Sequence, residues 1–284
     1  MRIWDRKNKR YIEEKEYGEK KLIFLYHTIP GRMLLKFFVA TKWYAKINAF
    51  LQQSKRSAGK IEAFVRTYGI DLSPYEKIKF RSFADFFIRK RTYTGSRNKD
   101  EWIAAADGKL LVVPIKEDVR LTIKNSEYEI KDLISDREMA KQYAGGICCV
   151  YRLTVDDYHR YVYSDDGKIK SRKRIDGKLH TVRSISEKYR VFIQNTRECT
   201  IMETENFDQV IQIEIGAMLV GKIRNKEAAT FYKLEEKGYF ELGGSTIVQL
   251  LKKDVLQMDE DILKQSKLGI ETKIYIGERI GKKC

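Results

Sequence analysis

His27, His159 and His180 are the only imidazoles in this chain of 284 residues. General acid–base chemistry near neutral pH that uses histidine must draw on these three. His159 stands in Asp156-Asp157-Tyr158-His159-Arg160-Tyr161, among carboxylates, phenols and a guanidinium. Its plainer reading is a structural ring in a strand. A second run, Glu241-Leu242-Gly243-Gly244-Ser245-Thr246-Ile247, leads an extended, alternating approach into two glycines and then a serine. Such a run is ordinarily a turn. Read chemically, the glycines open backbone geometries closed to other residues, and the Ser245 hydroxyl can then attack the Gly244 carbonyl carbon. That N-to-O acyl shift gives an ester, elimination gives dehydroalanine, and hydrolysis leaves a pyruvoyl group. The step needs a base for the serine proton and donors for the oxyanion. A third run, Ala105-Ala106-Asp107-Gly108-Lys109, is either a surface Asp-Gly turn or a carboxylate able to orient a histidine, as in a serine-type triad.

Other chemistries find little support. There is no HExxH and no Cys/His pair at zinc spacing, so no metal is expected. There is no Walker loop or GxGxxG, and no recognisable nucleic-acid-binding signature. Cys148, Cys149, Cys199 and Cys284 show no CxxC spacing, and the N-terminal MRIWDRKNKR lacks an apolar signal core. Both features fit a reducing, cytosolic setting with free thiols. No apolar run reaches bilayer-spanning length, the best being MLLKFFVA, broken by Lys36.

The elements that must position these residues divide in character near residue 100. The chain is 43% hydrophobic and 12% aromatic, enough for one sizeable core. Residues 1–100 carry 24 Lys/Arg against 10 Asp/Glu, and residues 101–284 carry 32 against 30. Nearly all of the +16 net charge therefore lies in the first third. Such asymmetry suits an anionic membrane or nucleic acid, or is simply a solvated basic face. The first hundred residues read as helical. Met33, Phe37, Ala40, Tyr44, Ile47 and Leu51 recur at helical steps, with Lys42 and Lys46 opposite. This stripe either packs on the core or lies in a membrane interface, where Trp43 and Tyr44 would be at home. A break at Ser57–Lys60, a helix over Ile61–Tyr68 and a helical Ser82–Lys90 follow. Beyond residue 102, strands are expected at Leu110–Ile115, Cys148–Val155, Lys188–Gln194, Val210–Ile215, Met218–Ile223 and Thr246–Leu251. A helix over Asp254–Gln265 and a last strand at Thr272–Ile276 complete the reading. The fold class is α+β, with a helical, membrane-associated N-terminal region before a mostly antiparallel β sandwich or open barrel.

Six collinear segments are similar to the phosphatidylserine decarboxylase family. SFADFFIRK (Ser82–Lys90) resembles the family's SFNDFFxRK, ADGKL (Ala106–Leu110) its ADG turn, and LTVDDYHR (Leu153–Arg160) its DYHR segment. LHTV (Leu179–Val182) matches a segment of bacterial members. GAMLVGKI (Gly216–Ile223) resembles VGAxxVGxI, and LGGST (Leu242–Thr246) the LGST or GGST cleavage site. One motif of this kind is weak, whereas six in order are specific.

The resemblance implies a self-cleaving zymogen of phospholipid biosynthesis. A cut between Gly244 and Ser245 would give a β chain, residues 1–244, and an α chain, residues 245–284, which stay associated. Ser245 would become the pyruvoyl group and form a Schiff base with the substrate amine, with neither pyridoxal phosphate nor a metal. Asp107 would be the triad carboxylate, and His159 a base in processing, an acid in turnover, or both. Phosphatidylserine would lose carbon dioxide to give phosphatidylethanolamine at the cytoplasmic face of the cell membrane, where a basic N-terminal third holds the enzyme peripherally. A homodimer is a family-level expectation. Many members read DYHRxH, but here the second histidine position is Val162, so either His159 acts alone or His180 takes the missing ring's place. The alternatives are a decarboxylase of another serine-headed lipid or amino acid, and a non-catalytic relative that binds anionic membranes.

Overall fold

The computed structural model describes residues 1–14, 19–123, 126–181, 190–218, 222–243 and 245–284. Gly244 of the expected cleavage bond, Val182 of the LHTV segment and residues 219–221 lie outside the described residues. A ten-stranded sheet runs through the molecule in the order Thr230–Phe231, Gly167–Ile175, Arg197–Thr204, Gln209–Gly216, Ser245–Leu251, Ile147–Leu153, Gly108–Pro114, Glu271–Ile274, Arg2–Asp5, Arg10–Glu13. All neighbours are antiparallel except Arg2–Asp5, which pairs parallel with Glu271–Ile274. Two three-stranded sheets accompany it. One consists of Lys222–Asn225, Glu236–Glu241 and Arg160–Val162, the other of Leu256–Met258, Arg279–Lys283 and Glu101–Ile103.

The large sheet is covered on both faces, and strand alternation decides which side chain goes where. Leu110, Tyr151, Leu153 and Ile247 join Trp102, Tyr161 and Phe240 of the small sheets in one core. Leu111, Val150, Ile211, Ile213 and Val248 point the other way. They pack on Leu121, Tyr128, Leu133 and Phe192, from the Arg120–Ile123/Ser126–Glu129 hairpin and the short helices Ile130–Ile134 and Val191–Gln194. The strands at 108–114, 147–153, 209–216 and 245–251 match the sequence reading, and the helix Ile61–Tyr68 matches it end to end, closed by Gly69 at φ 63°.

Several expectations are corrected. The first hundred residues are not uniformly helical: Arg2–Asp5 and Arg10–Glu13 are strands of the large sheet. The 33–51 stripe is not one helix. Ile29–Leu34 runs into a π-helical turn, Leu35–Val39, and Lys42–Gln53 starts afresh because the Thr41 side chain caps it at Tyr44 N. Nor does the stripe as a whole pack on the core. Met33, Phe37, Tyr44, Ile47 and Leu51 are exposed, and of the stripe Ala40 is buried, beside the off-stripe Leu35 and Ala45. Val191–Gln194 is helical rather than extended. Residues 254–265 split into the strand Leu256–Met258 and the helix Glu260–Lys267, and Arg279–Lys283 is a further strand. The strands at 2–5, 10–13, 256–258 and 279–283 took their conformation from their sheet neighbours rather than from their own pattern.

Polar side chains cross the core between the large sheet and the Glu236–Glu241 strand. Lys237 and Glu214 are both fully buried, 2.8 Å apart. Lys237 Nζ also donates to Thr200 Oγ1 and Asn225 Oδ1, each at 3.0 Å. Gln212 Nε2 and Asn225 Nδ2 donate to the Glu214 carboxylate, and Gln249 links Gln212 to Tyr151 and Trp102. Lys237→Met should leave the Glu214 charge buried without its cation. A loss of about 3–5 kcal/mol is expected in urea unfolding, with much of it recovered in Lys237→Met/Glu214→Leu. Unchanged stability in the single variant would show that the pair carries no charge.

Candidate active site

Ser245 opens an interior strand and is fully buried. It faces Leu153 on one side and Gly216 on the other. Its Oγ has no hydrogen-bond partner among the described residues. Period-two alternation puts its side chain on the face of Leu153 and Ile247, toward the small sheet carrying Tyr161 and Phe240. The approach is strained. Leu242 has φ 55° and Gly243 φ 91°, two successive left-handed residues directly ahead of the Gly244–Ser245 bond. For leucine that region costs roughly 1–2 kcal/mol.

Asp107 ends the Ala104–Ala106 run, just before the Gly108–Pro114 strand. Gly108 is required there: at φ 155°, a Cβ would lie 2.8 Å from the Arg152 carbonyl oxygen. The buried Asp107 carboxylate accepts from Ile276 N at 2.9 Å and from Arg91 at 2.6 and 2.8 Å. Burial pushes this carboxyl above its usual range, and the Arg91 charge pulls it back. Asp107 and Ser245 lie two strands apart, about 10 Å between backbones, with Ile147–Leu153 between them. Among the described residues, no hydrogen bond of Asp107 goes to a histidine.

His159 precedes the Arg160–Val162 strand. Its carbonyl accepts from Phe240 N at 3.0 Å, five residues before Ser245. The Ala106–Tyr161 bridge brings the same segment alongside Asp107. The fully buried His159 ring lies tilted against Phe87, centroids 4.1 Å apart and planes at 36°, and its Nδ1 lies 2.9 Å from the Asp157 carbonyl oxygen. Burial drives the ring down to about 3, against the pull of the Asp157 charge. It is therefore neutral at physiological pH. The Asp157 carboxylate faces away to Lys109, 2.7 Å, and to Thr154 N, 2.7 Å. Although burial opposes its charge, these partners hold it below the usual range.

His180 arrives from the other side. Asn195 Nδ2 donates to the carbonyls of both His180, 2.8 Å, and Gly216, 2.7 Å, and Gly216 lies opposite Ser245. Burial lowers this ring to about 4. Val162 packs among Ile103, Tyr158, Leu234 and Ile276, on the Asp107 side. His180 thus reaches the Ser245 neighbourhood from the Gly216 side, away from Val162. His27 ends the Glu19–His27 helix, among the N-terminal helices. The fold therefore gathers Asp107, His159, His180 and Ser245 at one end of the sheet.

Arg91, Asn195 and Tyr26 escaped the sequence reading, and Phe87 entered it only as part of the helical SFADFFIRK segment. Phe87 and Arg91 sit in or just beyond SFADFFIRK, a signal that could have drawn attention to them. Nothing in the sequence marks Asn195 or Tyr26. A cavity of about 470 Å³, lined by Glu14, Arg66, Lys109, Thr154, Asp156 and Lys273, lies beside Lys109, on the face opposite the Ser245 side chain.

Comparison with known proteins gives a consistent result. The phosphatidylserine decarboxylase family model matches residues 81–282. Phosphatidylserine decarboxylase proenzyme 2 of Clostridium acetobutylicum is 51% identical, covering 98% of this chain and 97% of its own. The phosphatidylserine decarboxylase proenzyme of Clostridium botulinum is 37% identical, with 99% of each chain covered. That of Clostridium perfringens is 35% identical, with both chains covered in full.

The two depressed rings make stability depend on pH. Below about pH 6.5 the unfolded chain protonates both histidines, while the folded chain refuses those protons until about pH 4 for His180 and about pH 3 for His159. Stability should fall as pH drops from 6.5 to 5, by about 1.4 kcal/mol per pH unit for His159 and less for the less enclosed His180. Urea unfolding of Ser245→Ala protein with and without His159→Gln/His180→Gln checks this. The same slope in both proteins would refute it.

Proposed function

The chain belongs to the phosphatidylserine decarboxylase family, whose members are carboxy-lyases, and we propose that it cuts itself between Gly244 and Ser245 and then converts phosphatidylserine to phosphatidylethanolamine and carbon dioxide. The observation that carries the reading is Ser245 itself: a buried hydroxyl with no hydrogen-bond partner among the described residues, at the head of an interior strand, shortly after the left-handed Leu242 and Gly243.

In self-cleavage, the Ser245 oxygen bonds to the Gly244 carbonyl carbon and its proton passes to a base. The Asp157 carbonyl can only accept, so His159 keeps its proton on Nδ1 and presents a lone pair at Nε2. That atom has no partner among the described residues, which suits His159 as the base. Collapse breaks the C–N bond, the Ser245 nitrogen takes the proton, and an ester remains. Loss of the Ser245 α-proton then expels the Gly244 carboxylate, and water replaces nitrogen as ammonia. The resulting pyruvoyl carbonyl supplies the electron sink that decarboxylation requires. Asp107, fixed by Arg91 and Ile276 N, places a carboxylate on the far side of the site. His159, buried against Phe87 and joined to the strand before Ser245 through Phe240 N, would return a proton to carbon. The Ser245–Leu251 and Glu271–Ile274 strands are interior to the large sheet, which supports the α chain staying associated after the cut.

We also infer peripheral docking on an anionic membrane at the cytoplasmic face. No helix among the described residues is long and apolar enough to cross a membrane alone. Lys21–His27 and Ile29–Val39 qualify only as a pair bent by 90°. The helices over residues 19–53 instead leave Ile29, Met33, Phe37, Phe38, Trp43 and Phe50 exposed, with exposed Arg32, Lys36, Lys46, Lys55 and Arg56 among and after them. Apolar side chains this exposed and this close together mark an interaction face. Lys/Arg beside anionic lipid add about 1 kcal/mol each.

Intact mass of denatured wild-type protein should show two chains, 1–244 and 245–284, the second headed by pyruvoyl. Ser245→Ala should stay whole and release no carbon dioxide from phosphatidylserine vesicles, and His159→Gln should be cut at least a hundredfold more slowly. A wild-type chain that remains whole in the presence of membranes overturns the reading. Separately, Trp43→Ala/Phe50→Ala should bind phosphatidylserine vesicles at least tenfold more weakly, since each large apolar side chain contributes roughly 1.5–3 kcal/mol when buried. Equal co-sedimentation with wild type would exclude this docking face.

A further inference from the structure

Resting on the phosphatidylserine reading, we propose that Arg89 binds the phosphodiester of the substrate headgroup, and so selects a phospholipid over a free amino acid. Arg89, Arg91 and Arg160 all lie against the segment that carries His159. Arg160 meets Glu236 at 3.1 Å, and Arg91 meets Asp107 at 2.6 Å. Arg89 is the most deeply buried of them, 5% exposed, yet it pairs with no carboxylate among the described residues. Its Nη1 and Nη2 lie 3.5 and 3.4 Å from the Phe86 and Asp156 carbonyl oxygens, long for such bonds. Its Nε has no partner among the described residues. Tyr75 supports the charge with its ring and its phenol, and the Phe86 ring lies 4.8 Å from the guanidinium carbon. Rings attract a cation weakly and do not neutralise it. A buried charge is ordinarily paired, and a cation left without an anion is matched when a ligand brings one.

The place of Arg89 suits that ligand. Its backbone is fixed, because Arg160 donates to the Ile88 carbonyl at 2.7 and 2.9 Å and to the Arg89 carbonyl at 3.2 Å. The Asp156 carbonyl that it faces is one residue before the carbonyl that holds His159 Nδ1. Phe87 lies against the His159 ring, while Phe86 turns to Phe64 and Phe80 of the helical region. Arg89 therefore stands where the N-terminal helices meet the reacting end of the sheet. Burial dominates the titration of both Asp107 and His159, and behind it the Arg89 charge still lowers each. The headgroup offers two anions, and the reaction tells them apart. The carboxylate loses its charge as carbon dioxide leaves, so an ion pair to it would stabilise the ground state against the transition state. The phosphodiester keeps its charge from substrate to product, and its oxygens fit the planar fork of a guanidinium.

Kinetics of the processed protein test this, with the cut in each variant first verified by intact mass. The substrate is dihexanoyl-phosphatidylserine below its micelle concentration, so that docking on a lipid surface does not enter. Arg89→Gln should raise KM by roughly tenfold or more and leave kcat within about threefold, because a contact to a group of constant charge is lost equally from ground and transition states. Arg89→Lys, which keeps a point charge without the fork, should fall between Arg89→Gln and wild type. Glycerophosphoethanolamine has the phosphodiester and no carboxylate. As a competitive inhibitor it should weaken in Arg89→Gln by the same factor as KM rises. An unchanged KM in Arg89→Gln, or a loss confined to kcat, would overturn the proposal. So would inhibition by glycerophosphoethanolamine that Arg89→Gln leaves intact, which would move Arg89 to the carboxylate. Failure of both variants to be cut would likewise overturn it and make Arg89 part of the processing site. A wild-type protein that is cut but releases no carbon dioxide from this lipid would remove the substrate reading itself.

Discussion

The hydrogen-bonded position of Ser245 between Leu153 and Gly216 is the constraint on which the rest of the site depends. An interior strand cannot shift without breaking ladder bonds on both sides, so the hydroxyl is held where the sheet puts it. Immediately upstream, Leu242 and Gly243 turn through left-handed conformations. An ordered strand on one side and a left-handed leucine on the other thus flank the expected scissile bond. The histidines are then placed relative to this strand by hydrogen bonds of the backbone. His159 hangs from Phe240, and His180 is joined through Asn195 to Gly216.

Burial governs the electrostatics more than any single ion pair does. Both rings near Ser245 are kept neutral by desolvation, the form that can exchange a proton at neutral pH. The charges that are buried nearby come in compensated sets. Lys109 meets Asp157, Arg152 meets Glu271 and Glu14, and Lys237 meets Glu214. The second set ties residue 14 to the centre of the sheet, so the N-terminal hairpin is held by charge as well as by pairing. The third locks the strand leading to Ser245 against the large sheet. Each set is costly to break by halves, which gives the site a rigid frame in a protein with no disulfide among its buried cysteines.

The N-terminal helices obey a different balance. Their buried side is narrow, centred on Tyr26, Leu35 and Ala40, while their largest apolar side chains face outward. A helix that needed only to cover the core would turn those side chains inward. The narrow buried side is also the one that meets His180 and Thr181. The same short helices therefore present an apolar surface outside and a polar contact to the site within.

The sequence by itself determined the chemistry available: two usable histidines, one serine after two glycines, one Asp-Gly turn, and their order along the chain. It also determined the central strands, because Val210–Ile215 and Thr246–Leu251 alternate or run apolar strongly enough to show in a short window, and the helix Ile61–Tyr68, because its period and closing Gly69 are local. It did not reveal that residues 2–13 are strands, since Arg2–Asp5 is extended only through its pairing with Glu271–Ile274 far along the chain. Nor did it show the direction of the 33–51 stripe, because a helical period gives the existence of an apolar face and not what covers it. Tertiary structure alone decided that Asp107 meets Arg91, that His180 lies beside Gly216 rather than Val162, and that Tyr26 reaches His180. Those contacts join residues separated by 16 to 154 positions. Only the register of a folded sheet and the packing of helices on its edge bring them together.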